Sequence, residues 1–440
     1  MPSSPVTTWW TEAKALAFRS HLLWYGLTAA LVSGAPILLL PFLLSRLPAE
    51  QYANIVSMQI IVMFGGLLIN LGVDGSVARD AFRARPRHLA SQVTVALSTQ
   101  IGGFIVLSGL ALAMVGQLEG WIAYPREWIG ITILGCLLQQ VTLFTANLLR
   151  LLGRVRYYAA LSILLATLEI GLSLILLYTV IPSWEARLWG FLTASSVSAG
   201  SATLLLWHMK LIQPPRHSRR VVRRMLRFGL PTLPHTLCSL LSAWADRFFV
   251  LRLCGAATAG VYAAAAQSVM IVSFVGSLAN LAWTPWLFRQ LSSRGTLHDV
   301  RSRIAARAYT LAGALVLSGV LVLGALAGYF LWLAPPSYAS ALSLLPWLVL
   351  GATANSVYKV SSNFLLFYGR TGYMAGVAFL ILAISLAAQI VFVPRFGATA
   401  SAVVFAAINV IQLTCTALLA ARLLSNRGHT NAWIHPRSAP

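Results

Sequence analysis

The feature that most constrains this chain is a succession of apolar stretches, each about 20 residues or longer, separated by short clusters of Arg and Lys. A helix of about 20 apolar residues crosses the roughly 30 Å hydrocarbon core of a bilayer. In lipid every backbone donor and acceptor must be paired internally, which leaves helices or closed barrels. A barrel strand needs only about 10 residues, so these longer stretches predict transmembrane helices. They fall near 22–45, 52–73, 91–116, 128–152, 157–180, 188–209, 227–253, 260–288, 305–333, 341–368, 373–394 and 397–424, twelve in all. The expected fold class is an all-α polytopic membrane protein.

Composition agrees. Only 10% of the 440 residues are charged and 58% are hydrophobic, whereas a soluble domain carries roughly 25% charged residues. A net charge of +22 could otherwise suggest a nucleic-acid partner. The cations lie between the apolar stretches, so they read as membrane loops and no nucleic acid is expected. Cys136, Cys238, Cys254 and Cys415 show no paired spacing, so they read as core residues rather than a disulfide or metal framework. The N-terminal segment lacks a signal-peptide cleavage site, and its first apolar run is too long for a signal-peptide core. That run is expected to remain as a helix.

Loop cations set the orientation of a polytopic chain. With a cytoplasmic N-terminus, 25 of the 32 Lys and Arg fall on the inner side, including Lys14, Arg19, Arg79, Arg83, Arg85 and Arg87. The outer side keeps five: Arg46, Arg126, Arg187, Arg252 and Arg395. Only Arg247 and Lys359 remain well inside spans. The expectation is an inner (cytoplasmic) membrane protein with both termini in the cytoplasm.

The most basic loop divides the chain, giving six-helix bundles at 1–207 and 228–440 joined by a linker at 208–227. Within the linker, RRVVRRMLRF puts Val221, Val222, Met225 and Leu226 on one helical face and arginines on the other. It reads either as an interfacial helix touching anionic headgroups or as a solvated basic linker. Each half opens with a proline pair, Pro36 with Pro41 and Pro231 with Pro234, and later carries a Tyr-Ala pair (Tyr52–Ala53, Tyr262–Ala263). Repeated halves with a site between them are a common transporter plan. Proline inside a span frees a backbone carbonyl and permits a bend, so these four are candidate hinges.

Polar groups inside spans are costly and therefore informative. In the seventh span His235, Ser239, Ser242 and Asp246 share one helical face, expected to line a cavity. Arg247 lies about 100° around the helix, so it is not expected to form a simple ion pair with Asp246. Asp246 is a candidate for ion coupling, or for an interhelix pair that pins the bundle. In the tenth span Asn355, Lys359 and Ser362 share a face, where an ammonium can hold an anion such as a diphosphate, unless it snorkels to the headgroups. Glu169, in the fifth span with Ser162 and Ser173, is either a titrating, isolated carboxyl or a satisfied partner of Lys359 or of a hydroxyl. Asn70 and Asp74 are i, i+4 neighbours at the inner end of the second span, with Arg79 and Asp80 beyond. They mark a cavity mouth or a solvated helix end. No enzyme motif such as GxSxG, HExxH or a Walker A loop is present, no nucleotide-binding domain exists to drive a pump, and no cofactor is implied.

Several stretches resemble the Wzx-type polysaccharide flippases of the multidrug/oligosaccharidyl-lipid/polysaccharide (MOP) superfamily. They are PFLLSRLPAEQYANI, LGVDGSVAR, RFGLPTLPHTL, ADRFFVLRLCGAATAGVYAAAAQ, APPSYASALSLLPWL and VPRFGATASAVV. Ala53 stands where that family usually has Gly. The resemblance implies twelve helices in two six-helix bundles, a MATE-like plan, with alternating access and a cationic cavity. It implies a polyprenyl-diphosphate-linked oligosaccharide as substrate, with membrane lipids and other glycan-assembly proteins as partners. Asp246 and Arg247 match the seventh-helix motif and Arg79 the end of the second-helix motif. Lys359, Asn355 and Ser239 rest on the polar stripes. The short region after 424 is expected to leave no room for the two extra helices of lipid II flippases. A drug/cation antiporter of the same superfamily, which would want an anionic cavity, is the alternative. A membrane-embedded glycan polymerase or ligase is a further one, although no outer loop is long.

Overall fold

A computed structural model describes residues 34–81, 86–213, 218–292, 297–369 and 371–425, with the isolated positions 24, 26, 28, 31 and 32. The start of the first expected span lies outside the described residues, as do Lys14, Arg19, Arg83, Arg85, Arg216, Arg294, Arg370, Arg427 and Arg437. All regular structure among the described residues is helical. The helices are α1 (Gly34–Arg46), α2 (Ala49–Asn70), α3 (Val73–Ala81), α4 (Pro86–Ala113), α5 (Val115–Ile122), α6 (Arg126–Leu151) and α7 (Val155–Thr179). They continue with α8 (Glu185–His208), α9 (Ser218–Gly229), α10 (Leu233–Cys254), α11 (Ala256–Ser292), α12 (Leu297–Trp332), α13 (Ala341–Phe367) and α14 (Thr371–Ser425).

Eight of these (α2, α4, α6, α7, α11, α12, α13 and α14) hold stretches long and apolar enough to cross a membrane. Helix α14 holds two of the expected spans. Gly397 interrupts it at φ 66°, ψ −156°, a conformation open essentially to glycine alone, leaving limbs 371–396 and 398–425. Helices α8 and α10 have 24 and 22 residues, enough to span, but serines, threonines and charges lower their hydropathy. The twelve expected spans fall on α1, α2, α4, α6, α7, α8, α10, α11, α12, α13 and the two limbs of α14.

The chain divides into two compact units, 1–241 and 242–440, with the boundary inside α10. In the first unit the backbone breaks after α2, where Leu71 and Gly72 are both left-handed (φ 50° and 71°). Asn70 and Asp74 therefore flank a turn rather than share one helix end. The break is held by contact of two glycines: a Cβ on Gly72 would lie 2.7 Å from the Gly229 Cα, and one on Gly229 would lie 2.3 Å from the Leu71 carbonyl. Helix α9 then lies against α3 and α4, burying Val221 and Met225 among Val73, Val77, Leu89 and Val93. The half of its apolar face that carries Val221 and Met225 is thus covered by protein, while Val222 and Leu226 stay partly exposed.

The proline pair of the seventh span is also placed differently. Pro231 sits in a 3-10 turn (Leu230–Thr232) and Pro234 in the first turn of α10, where a missing N–H costs nothing. The helix starts at Leu233 rather than at 227. Pro36 and Pro41 do lie inside α1, while Pro285, Pro346 and Pro394 sit inside α11, α13 and α14.

In the second unit α11 presents a buried run of small residues, Ala263 to Ala266, followed by Gly276. Helices in lipid associate through such close packing rather than through a hydrophobic drive. A Cβ on Gly276 would meet the Ser356 Oγ of α13 at 2.3 Å. Below this contact Trp283, Leu287, Leu291, Ile304, Val360 and Phe364 form the unit's apolar core.

Candidate functional site

The polar groups of the second unit form two clusters. Around the start of α11, the buried Asp246 carboxylate accepts a hydrogen bond from the Tyr262 hydroxyl at 2.9 Å. Ser401 in turn donates to the Tyr262 oxygen at 3.4 Å. Arg247 Nη1 lies 3.0 Å from Asp246 Oδ1 and 3.0 Å from the Ala243 carbonyl, and the guanidinium stacks 4.9 Å over the Trp244 ring. Asp246 and Arg247 do form an ion pair, contrary to the expectation from helical angles. The arginine side chain is long enough to fold back along its own helix, and the Trp244 face holds it there.

The other cluster lies along α11 and α13. Lys359 Nζ donates to Ser277 Oγ at 2.9 Å. One turn on, Asn363 Nδ2 donates to Asn280 Oδ1 and to the Lys359 carbonyl, both at 2.7 Å, and Thr284 Oγ1 donates to Asn363 Oδ1 at 3.2 Å. Trp283 Nε1 donates to the Val360 carbonyl at 3.1 Å. Asn355 is directed elsewhere, to Asn409 Oδ1 of α14 at 3.0 Å. The sequence face of Asn355, Lys359 and Ser362 is therefore divided between two neighbouring helices.

The remaining expected residues belong to the first unit. Glu169 is not isolated: Arg187, two residues into α8, pairs with its carboxylate and also donates to Ser173 Oγ at 3.2 Å. Arg187 is buried at 8% exposure, so its charge is met by Glu169 and Ser173 rather than by water. Gly190 makes the pair possible, because a Cβ there would lie 2.3 Å from Ser173 Oγ. Ser239 is exposed and, among the described residues, bonds along its own helix to the His235 carbonyl at 3.1 Å. Arg79 stacks 4.7 Å from the Phe228 ring of α9. At the α2–α3 break, Asp74 Oδ1 and Asn70 Oδ1 are buried without hydrogen-bond partners among the described residues. Burial pushes the Asp74 carboxyl up to about 6, against the lowering effect of the Asn70 side chain.

The profile of the polysaccharide biosynthesis protein family matches residues 20–291. The chain belongs to that family. No curated protein sequence matches it significantly. Among solved structures, this member of the polysaccharide biosynthesis family is similar to the lipid II flippase MurJ in an inward closed conformation. The TM-score is 0.73 at 11% identity, covering 91% of this chain and 87% of that one. It is also similar to an inward-facing multidrug resistance MATE transporter of the MOP superfamily, with a TM-score of 0.67 at 15% identity and coverage of 92% and 96%. The Vibrio cholerae MATE transporter VcmN scores 0.61 at 12% identity, with 93% and 98% covered. At these identities the likeness establishes the fold: an all-helical, multi-pass membrane architecture shared with these transporters.

Five contributors escape the sequence reading as site residues. Arg187 sits too near a span end to look buried. Tyr262 is visible as half of a repeated Tyr-Ala pair and within a stretch that carries the family resemblance, but not as the partner of Asp246. Ser277, Asn280 and Thr284 are polar positions of the eighth span whose i, i+3, i+7 spacing could have flagged them.

Proposed function

We propose that this protein is a Wzx-type flippase. It moves a polyprenyl-diphosphate-linked oligosaccharide from the cytoplasmic to the outer leaflet of a bacterial inner membrane, by alternating access, for O-antigen, capsule or exopolysaccharide synthesis. One observation carries the reading beyond the family. Lys359 is an ammonium inside a span, half-buried, with a hydroxyl at 2.9 Å and no carboxylate partner among the described residues. A desolvated cation without a counter-ion favours a passing anion, and the amides beside it suit a glycan's hydroxyls. Asp246 has a different role. Paired with Arg247 and Tyr262, it couples the cycle to an ion or sets the Arg247 guanidinium for the diphosphate. Pro36 and Pro41, inside α1, serve as hinge points.

The test compares Lys359→Arg, Lys359→Gln and Asp246→Asn in cells, scored for membrane abundance and for glycan reaching the outer leaflet. A charge-assisted hydrogen bond is worth about 1.5–3 kcal/mol, so Lys359→Gln should lower transport by about tenfold or more at equal abundance. Lys359→Arg should retain part of it. Normal transport by Lys359→Gln would remove Lys359 from the site and the reading with it.

A further inference from the structure

Two concavities meet on the first unit. One is an open groove of about 720 Å³ lined by Arg219, Val222, Arg223, Leu226, Arg227 and Leu230. The other, of about 460 Å³, is an almost wholly apolar cleft between the end of α2 and α4, running from Leu71 and Ser98 past Gly102 to Leu110. Val222 lines both, so they adjoin at that residue.

The groove follows from the periodicity of α9. Val221 and Met225 turn into the protein. At about 100° per residue, Val222, Leu226, Arg219, Arg223 and Arg227 then occupy one outward arc in that order, apolar to basic. The three arginines are exposed and make no ion pair among the described residues. They span about 12 Å of helix at 1.5 Å per residue, longer than a single phosphate. We propose that this composite feature is a binding site for an anionic phospholipid of the cytoplasmic leaflet, its headgroup phosphate on the α9 arginines and one acyl chain in the α2–α4 cleft. Charge complementarity fixes the headgroup class, and the adjoining apolar cleft requires a ligand that is amphiphilic. A soluble phosphate would leave the cleft unfilled, and nucleic acid would find no cation among the residues that line the cleft.

Glycine 102 gives a clean way to close the cleft. A Cβ there meets nothing within 4 Å, whereas one on Gly103 would strike the Ile69 carbonyl at 2.8 Å. Gly102→Leu should therefore fill the cleft without disturbing α2. The experiment follows thermal unfolding of the delipidated full chain in detergent, titrated with dioleoyl phosphatidylglycerol, dioleoyl phosphatidylcholine, dihexanoyl phosphatidylglycerol and undecaprenyl phosphate. A basic side chain at an anionic surface is worth about fivefold in partition. R219Q/R223Q/R227Q should thus weaken dioleoyl phosphatidylglycerol binding about a hundredfold and leave phosphatidylcholine unchanged. Arg223→Gln alone should weaken it about fivefold, which keeps the test open if the triple variant fails to fold. Gly102→Leu should abolish the advantage of the dioleoyl over the dihexanoyl lipid while preserving headgroup selectivity. Equal binding of phosphatidylglycerol and phosphatidylcholine would overturn the proposal. So would undecaprenyl phosphate outcompeting phosphatidylglycerol, which would assign the site to the carrier lipid instead.

Discussion

At the scale of single residues, the buried pair of Glu169 and Arg187 shows how removal of one partner differs from removal of both. Leaving one charge buried and uncompensated costs about 3–5 kcal/mol, while replacing both partners is often close to neutral. Arg187→Gln should therefore lower the thermal unfolding midpoint and membrane abundance sharply, and Glu169→Gln should do the same. The double variant should recover most of the loss. A double variant as unstable as the sum of its parts would show that the two do not act as a pair. Asp74 offers a pH signature. Burial pushes its carboxyl up to about 6 in the fold, above the ordinary carboxylate range, which favours the protonated form. The fold bears no penalty below about pH 4, and the penalty grows to about 3 kcal/mol as pH rises through 6. Asp74→Asn should accordingly stabilise the protein at pH 8 and be neutral at pH 4, as read by unfolding midpoints. A gain that is the same at both pH values would mean the carboxyl is not the source. Neither partner of Glu169 nor the turn beneath Asp74 could be read from the sequence. Periodicity sorts residues onto the faces of one helix, and does not say which helix comes opposite.

At the scale of elements, close approach of helices decides where the cation-bearing α13 lies. Gly276→Ala would put a Cβ 2.5 Å from the Ser356 Cβ and 3.1 Å from its Cα, so α13 must move, taking Lys359 with it one turn away. Gly324→Ala in α12 meets nothing within 4 Å and gains about 0.5–1 kcal/mol of helix propensity. The first substitution should reduce both stability and transport; the second should leave transport intact and raise the unfolding midpoint slightly. If both were harmless, α11–α13 packing would not position Lys359. The long elements were legible because length and hydropathy are properties of the segment itself. Gly397 was implicit in the break between the last two spans, and its left-handed φ explains why they part there. The boundaries at Leu71 and Pro231 were not legible, since each depends on a neighbour: Gly229 for the first turn and the α9 packing for the second.

At the scale of the whole molecule, topology is the property that sequence carries most directly, because insertion responds to loop charge rather than to the final packing. The cations of α9 and those around Arg150 to Arg156 and Arg289 to Arg307 all belong to one side by the alternation of spans. Reporter fusions after Pro182 and Ala334 should therefore report the outer side, and a fusion after Lys210 the cytoplasm. The α7–α8 turn around Pro182 is the decisive position. Glu169 and Arg187 meet just beneath it, so the side it faces fixes which leaflet holds that pair. A cytoplasmic signal at Pro182 with an outer signal at Lys210 would invert the map. It would then place the α9 arginines at the outer leaflet and overturn the cytoplasmic side assigned to the bound lipid, whatever the titration in detergent shows.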